Sequence, residues 1–402
     1  MKPLACCVWG VFGAPQQACV RSSMPSWLSA NRESGATRGR QGLPPVAVEQ
    51  RIPAPAADSG ASAPSASTAV AVAPRLADLH VLEQVSEGLF GPILLVQHGD
   101  DKRILKILNK RRLLKARMER HTLDERHIMG KCSHPFIVRL LAAFQSAEHL
   151  YLMMDPLQGE LFELIAAAGP FAGLPEPSAK FYLACIASAL EFLQGLNVAH
   201  RDLKPENVLL DARGYAVLID FGFAKVIKGR NGRTYCGTPH FAAPELARQA
   251  MAASGLCERP PGYDASVDLW AYGCLVYEVL VGHCAFGDNA MDQMQVLYRV
   301  LQGDYKFPPW LCCAVSASAR ELVAELLVTE PDARRRHLRS HRFFDGLDFD
   351  ALEHRAIPPP TPSPTTAQQA QPRHDEPLPA LDADTSDPNP ASTPELAVFG
   401  SF

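Results

Sequence analysis

The 402-residue chain contains no apolar run reaching the roughly 18–20 residues that a membrane-spanning helix needs, so no transmembrane segment is expected. A surplus of positive charge is also missing. Lys and Arg number 39 against 43 Asp and Glu, a formal net charge of −4. That removes any broad electrostatic case for nucleic acid or an anionic membrane as partner. The 11 cysteines form no Cys-x-x-Cys pair and no metal-ligand spacing, which leaves free thiols in a reducing compartment as the expectation. What is present is ordinary for a soluble globular protein, with 47% hydrophobic and 20% charged residues.

Proline is the uneven component, its 34 residues crowding toward both ends. Residues 1–76 are rich in Ala, Pro, Ser, Gly and Arg and show neither a strand nor a helix period. Such a composition buries too little apolar surface to offset ordering entropy, so a disordered extension is expected there. Its start, Met1 to Pro15, carries one Lys and a short apolar stretch broken by Gly and Pro, a poor match to a secretory leader. Lys2 excludes N-myristoylation. A cytoplasmic location is expected, with nuclear or membrane-associated placement as alternatives.

The chemistry concentrates in His200-Arg201-Asp202-Leu203-Lys204-Pro205-Glu206-Asn207, a polar loop between the apolar runs Val198-Ala199 and Val208-Leu209-Leu210. A loop held between buried elements can aim an acid, a cation and an amide at one spot. Thirteen residues after Asn207 stands Asp220-Phe221-Gly222, a second acid on a Gly-hinged turn. Asn207 and Asp220 suit a divalent cation, Asp202 a base and Lys204 a cation near phosphate. Together they make a phosphoryl-transfer set.

Upstream, strands are expected over residues 79–85, 93–96, 103–108, 136–140 and 150–154. The first two flank Ser86-Glu87-Gly88-Leu89-Phe90-Gly91, whose small residues let backbone N–H groups approach phosphate. Lys106 lies among apolar neighbours on the third strand, and Glu125 on a polar helix that follows. Asp155 to Gly159 reads as a linker between a small strand-rich lobe and a large helical one. An Ala-rich buried helix is expected over residues 178–196, feeding the 200–207 loop.

In these motifs the chain resembles the eukaryotic protein kinases of the AGC group over residues 77–345. The cyclic-nucleotide-dependent kinases are the nearest pattern, through Asp220–Gly229, Arg233-Thr234-Tyr235-Cys236-Gly237-Thr238-Pro239, His121-Thr122-Leu123 and the terminal Phe399-Gly400-Ser401-Phe402. The resemblance implies an α+β bilobal fold: an antiparallel-sheet N-lobe (77–154) with one C-helix, a mainly helical C-lobe (158–345) and a Pro-rich tail (346–402). It implies ATP and Mg²⁺ as cofactors. Gly88 and Gly91 match the second and third glycines of the phosphate loop, with Ser86 in place of the first. Val85, Ile93 and Met154 would line the nucleotide site, Lys106 would hold phosphates and Glu125 would hold Lys106. Asp220 and Asn207 would carry the metal, Asp202 would be the catalytic base, and Thr238 would bond Asp202 and Lys204. Met129, Leu140, His200 and Phe221 would stack between the lobes. Glu245 would pair with Arg334.

Lys204 with Pro205-Glu206 is the serine/threonine pattern. Glu160, Glu206 and Glu278 stand where this group reads basic residues ahead of the target, so protein substrates with upstream Arg are expected. Thr234 matches the activating phosphosite, with Arg201, Lys225 and His121 as its cationic partners. An upstream activating kinase and a separate regulatory subunit are the further partners implied. The tail departs from the pattern, with no Phe-Asp-x-Tyr segment, and the connection between Glu245 and Asp268 is longer than usual. Ser86 and Pro92 keep a second reading open, a pseudokinase-type binding scaffold.

Overall fold

The computed structural model describes residues 74–169, 171–288, 290–311, 314–360, 381, 396–400 and 402. The expected disordered extension lies outside the described residues, apart from its last three positions, as does most of the tail between 361 and 395.

The small lobe is a five-stranded antiparallel sheet in the order β1-β2-β3-β5-β4. Its strands are β1 (Leu79–Gly88), β2 (Gly91–His98), β3 (Asp101–Asn109), β4 (Leu140–Gln145) and β5 (His149–Met154). β1 and β2 form the expected hairpin, closed by Gly88 opposite Gly91 and twisted by irregularities at Val81/Glu83 and Gln84/Ser86. One face buries Leu79, Leu94, Val96, Leu105, Ile107, Tyr151 and Met153. Between β3 and β4 run α1 (Lys110–Ala116) and α2 (Glu119–Met129). Asn109 caps α1, its side chain accepting from Arg112 N at 3.0 Å.

The strand expected over 136–140 is displaced. Phe136, Ile137 and Val138 are buried and tie to Leu218 by a single bridge, while pairing with β5 runs from Leu140 to Gln145. The apolar run at 136–138 is core, not ladder, and the small Ala142-Ala143 pair hid the true strand from a pattern of large residues.

The linker leads through β6 (Gln158–Glu160) into the large lobe. That lobe holds α3 (Leu161–Ala167), α4 (Glu176–Gly195), α5 (Pro244–Ala253), α6 (Val267–Val281), α7 (Gln293–Gln302), α8 (Ala317–Leu326) and α9 (Phe349–Glu353). The short strands β7 (Val198–Ala199), β8 (Val208–Leu210), β9 (Ala216–Leu218) and β10 (Lys225–Val226) carry the loops of interest. Every residue of α6 is buried. A helix buried on all sides belongs at the centre of a domain, and here it is the post to which the 200–207 loop is fastened. Arg334 closes the lobe, with two bonds of 2.7 Å to Glu245 and a third, 3.1 Å long, to Ser266 O. No described helix is long and apolar enough to cross a membrane.

Candidate active site

The cleft is built from both lobes. On the small-lobe side, Gly91 has φ +152°, and a Cβ there would stand 2.6 Å from Ile107 O. Only glycine lets the β1–β2 turn lie this close to β3. Gly88, Gly91, Ile93, Lys106, Glu125 and Asp220 line one cavity, with Phe90, Met118 and His121 along its wall. Ser86 sits opposite Ile93 in the hairpin. Val85 and Met154 lie apart from that cavity: Val85 is 48% exposed on β1, and Met154 is buried between β3 and β4.

Lys106 Nζ lies 2.8 Å from Glu125 Oε1 and 3.7 Å from Asp220 Oδ1. Burial works against its charge, but the two carboxylates outweigh burial and hold its pKa above the ordinary lysine value. Burial raises the Glu125 carboxyl, with Lys106 pulling the other way. Such a pair contributes mainly geometry: it fixes α2 against β3 and points an ammonium at Asp220.

On the large-lobe side, Asp268 of α6 accepts from His200 N at 2.6 Å and Arg201 N at 2.8 Å. Arg201 takes φ +68°, and Asp220 φ +58°. Both are strained for residues with a side chain, and both stand at the cleft, where held strain is expected. Asp202 Oδ1 accepts from Thr238 N at 3.0 Å and Thr238 Oγ1 at 2.8 Å. Its Oδ2 takes Asn207 Nδ2 and Lys204 Nζ, each at 3.1 Å. Lys204 Nζ also donates to Thr238 Oγ1 at 3.1 Å. Asp202, Asn207, Lys204 and Thr238 are therefore one connected set. The rings of His200 and Phe221 meet edge to face at 5.0 Å, and Met129 and Phe221 are both buried in the large core that Leu140 flanks.

The residues fit a hard cation that arrives with phosphates. Among the described residues there is no cluster of three or more His, Cys, Asp or Glu that could form a self-sufficient metal cage. Mg²⁺ needs none, since one or two protein oxygens suffice when substrate phosphates and water complete the octahedron. Asp220 supplies a buried carboxylate. Asn207 spends its amide nitrogen on Asp202 O at 2.8 Å and on Asp202 Oδ2, so its oxygen is the atom that would serve as a ligand.

Thr234 lies exposed on the segment between β10 and α5. Arg201 does not reach its side chain. Instead Arg201 Nε donates to Phe223 O at 2.7 Å and Nη1 to Tyr263 Oη at 2.8 Å, while Nη2 is buried with no partner among the described residues. Lys225 is exposed, and His121 meets the Phe223 ring edge-on at 6.2 Å. Burial, then Arg201, lowers the His121 pKa. Tyr263 carries no recognisable motif in the sequence. Only the Gly262-Tyr263 pair in a Pro/Gly-rich loop marked it, and Gly262 is needed because a Cβ there would overlap Arg230 O.

Glu160, Glu206 and Glu278 share one electrostatic neighbourhood. Burial first, then Glu163 and Glu206, pushes Glu160 up to about 7. Burial and Glu206 push Glu278 up to about 7. Glu206 is raised by burial against the pull of Lys204, and its Oε2 is buried without a partner among the described residues. Negative charge that is costly to hold calls for a cationic ligand.

A family model described as the protein kinase domain matches residues 79–344. The chain is 37% identical to a cGMP-dependent protein kinase of Toxoplasma gondii over 70% of its own length, but it spans only 28% of that relative. It is 34% identical to a cAMP-dependent protein kinase type 3 of Saccharomyces cerevisiae over 74% of the chain and 71% of the relative. With the serine/threonine-protein kinase Sgk1 of Gallus gallus it shares 36% identity over 75% of the chain and 69% of the relative. With its sheet-built small lobe, its helical large lobe and these relatives, the chain belongs to the protein kinase domain family, in the AGC group.

Proposed function

We propose that this chain transfers the γ-phosphoryl group of ATP to Ser or Thr hydroxyls of protein substrates with Arg ahead of the target, and that a phosphate on Thr234 switches it on. The observation that carries the reading is the convergence of Lys106 on both Glu125 and Asp220 across from an Asp202 held by Thr238, Asn207 and Lys204. A scaffold without turnover has no need of that convergence.

Placement and electrostatics do most of the work in phosphoryl transfer. Gly88 and Gly91 bring backbone close to the phosphates. Lys106, fixed by Glu125, neutralises charge on them. Asp220 and Asn207 would hold Mg²⁺, which when bound would supply neutralisation of the negative charge on the transferred group. Asp202, oriented by Thr238 and Asn207, aims the substrate hydroxyl and takes its proton. Lys204 steadies the phosphoryl oxygens. Glu160, Glu206 and Glu278 receive the guanidinium groups of the substrate.

On Thr234, a phosphate carrying about −1.5 to −2 charges would meet the unpartnered Nη2 of Arg201, with Lys225 and His121 beside it. A separate regulatory subunit is proposed as a partner because one relative, from Arthrobotrys oligospora, is named a cAMP-dependent protein kinase catalytic subunit, and an upstream kinase is proposed as the donor of that phosphate. Peptide-library phosphorylation tests the specificity, which predicts enrichment of upstream Arg. Thr234→Ala tests the switch, with a loss of about 10²-fold in kcat expected if segment order is the limiting feature. A library without Arg enrichment contradicts the first part, and full activity of Thr234→Ala the second.

A further inference from the structure

Arg201 and the Thr234 backbone meet through a third residue. Tyr263 is 2% exposed. Its hydroxyl accepts from Arg201 Nη1 at 2.8 Å and donates to Thr234 O at 2.6 Å. The backbone of Tyr263 pairs with that of Gly232 through bonds of 2.8 and 2.9 Å. A Cβ on Gly232 would overlap the Tyr263 ring, so the segment lies directly on it. Burial raises the phenol pKa, with Arg201 opposing, so the hydroxyl keeps its proton and stays able to donate. Nothing else among the described residues hydrogen-bonds at once to the side chain preceding Asp202 and to the backbone at position 234.

From this we infer that Tyr263 is a positioning residue for the activation segment. Its hydroxyl couples the segment to the catalytic loop before any phosphate is present, and the phosphate adds a second tie at the Arg201 Nη2 that Tyr263 leaves unused. Arg201 Nη1 belongs to Tyr263, Nε to Phe223 O, and Nη2 to the incoming anion. The loop following α5 thus holds the segment in part without modification, which sets the activity of the unmodified chain. This inference rests on the proposed role of Thr234 only for the second tie.

The test uses the full chain in two forms, one phosphorylated at Thr234 (checked by mass) and one carrying Thr234→Ala. Tyr263→Phe is introduced into each, which keeps the ring on Gly232 and removes only the hydroxyl. Losing one hydrogen bond to a charged group predicts roughly a tenfold fall in kcat in the Thr234→Ala form, and a smaller fall, about threefold, where the phosphate provides the second tie. KM for ATP is expected to stay within about twofold, and the backbone amides of residues 231–237 to exchange about tenfold faster. Equal losses in the two forms overturn the second tie at Arg201 Nη2, while no loss in either form, or a fall in kcat with unchanged amide exchange, overturns the positioning role of Tyr263. Thr234→Ala alone retaining full activity would instead overturn the proposed switch, while the effect of Tyr263→Phe on exchange would still report on the hydroxyl.

Discussion

At the scale of single residues, the cleft depends on groups held where they are costly to hold. Gly91 is one. Alanine at φ +152° and 2.6 Å from Ile107 O must shift the hairpin off β3, so Gly91→Ala is expected to cost about 1–3 kcal/mol. A thermal melt showing no loss would contradict that contact. The acidic cluster gives a pH dependence. Glu160 and Glu278 sit at about 7 through burial and through one another's neighbour Glu206. Their carboxylates are charged above that value and neutral below it. The KM for an Arg-bearing peptide is therefore expected to rise as pH falls from 8 to 6, while the KM for a peptide lacking Arg stays level. Asp202, Lys106 and Asp220 were legible in the sequence because their chemistry restricts residue type and spacing together. Tyr263 was not, because its role comes from a loop that returns in space to Thr234, and no local pattern encodes that return.

At the scale of elements, the sequence marked the existence of strands and helices better than their edges. The α4 helix was expected over 178–196 and runs Glu176–Gly195, because a long apolar period is robust. The fourth strand was misplaced because Phe136 to Val138, although apolar, pack into the core beneath the sheet. The long connection after Glu245 begins as α5, exposes Leu256, and returns as the Tyr263 loop. What locks these elements is the buried Arg334–Glu245 pair. Removing one partner of a buried pair leaves a charge uncompensated, so Arg334→Ala is expected to destabilise by about 3–5 kcal/mol, read as a lowered urea midpoint. A midpoint within error of the parent chain would mean that Glu245 is solvated after all.

At the scale of the whole molecule, the small lobe is tied to the far end of the chain. Phe399 and Phe402 are buried, Gln145 Nε2 donates to Phe399 O at 3.1 Å, and Arg126 of α2 lies 5.4 Å from the Phe402 ring centre. The terminal Phe-x-x-Phe thus braces the helix that carries Glu125. Phe399→Ala deletes a fully buried ring, worth about 3–5 kcal/mol at a core site. Faster amide exchange along α2 and a raised KM for ATP are expected, and unchanged exchange there would show that the terminus does not support α2. Tail, sheet, α2, Lys106 and Asp220 form one chain of contacts that reaches the cleft, where the proposed phosphoryl transfer would be carried by Asp202. The most direct test is single-turnover transfer from ATP to a Ser peptide bearing upstream Arg, using the chain phosphorylated at Thr234 and its Asp202→Ala variant. The account predicts transfer by the parent and a fall of about 10²–10⁴-fold in the variant; equal rates in the two, or no transfer by the parent, would contradict it.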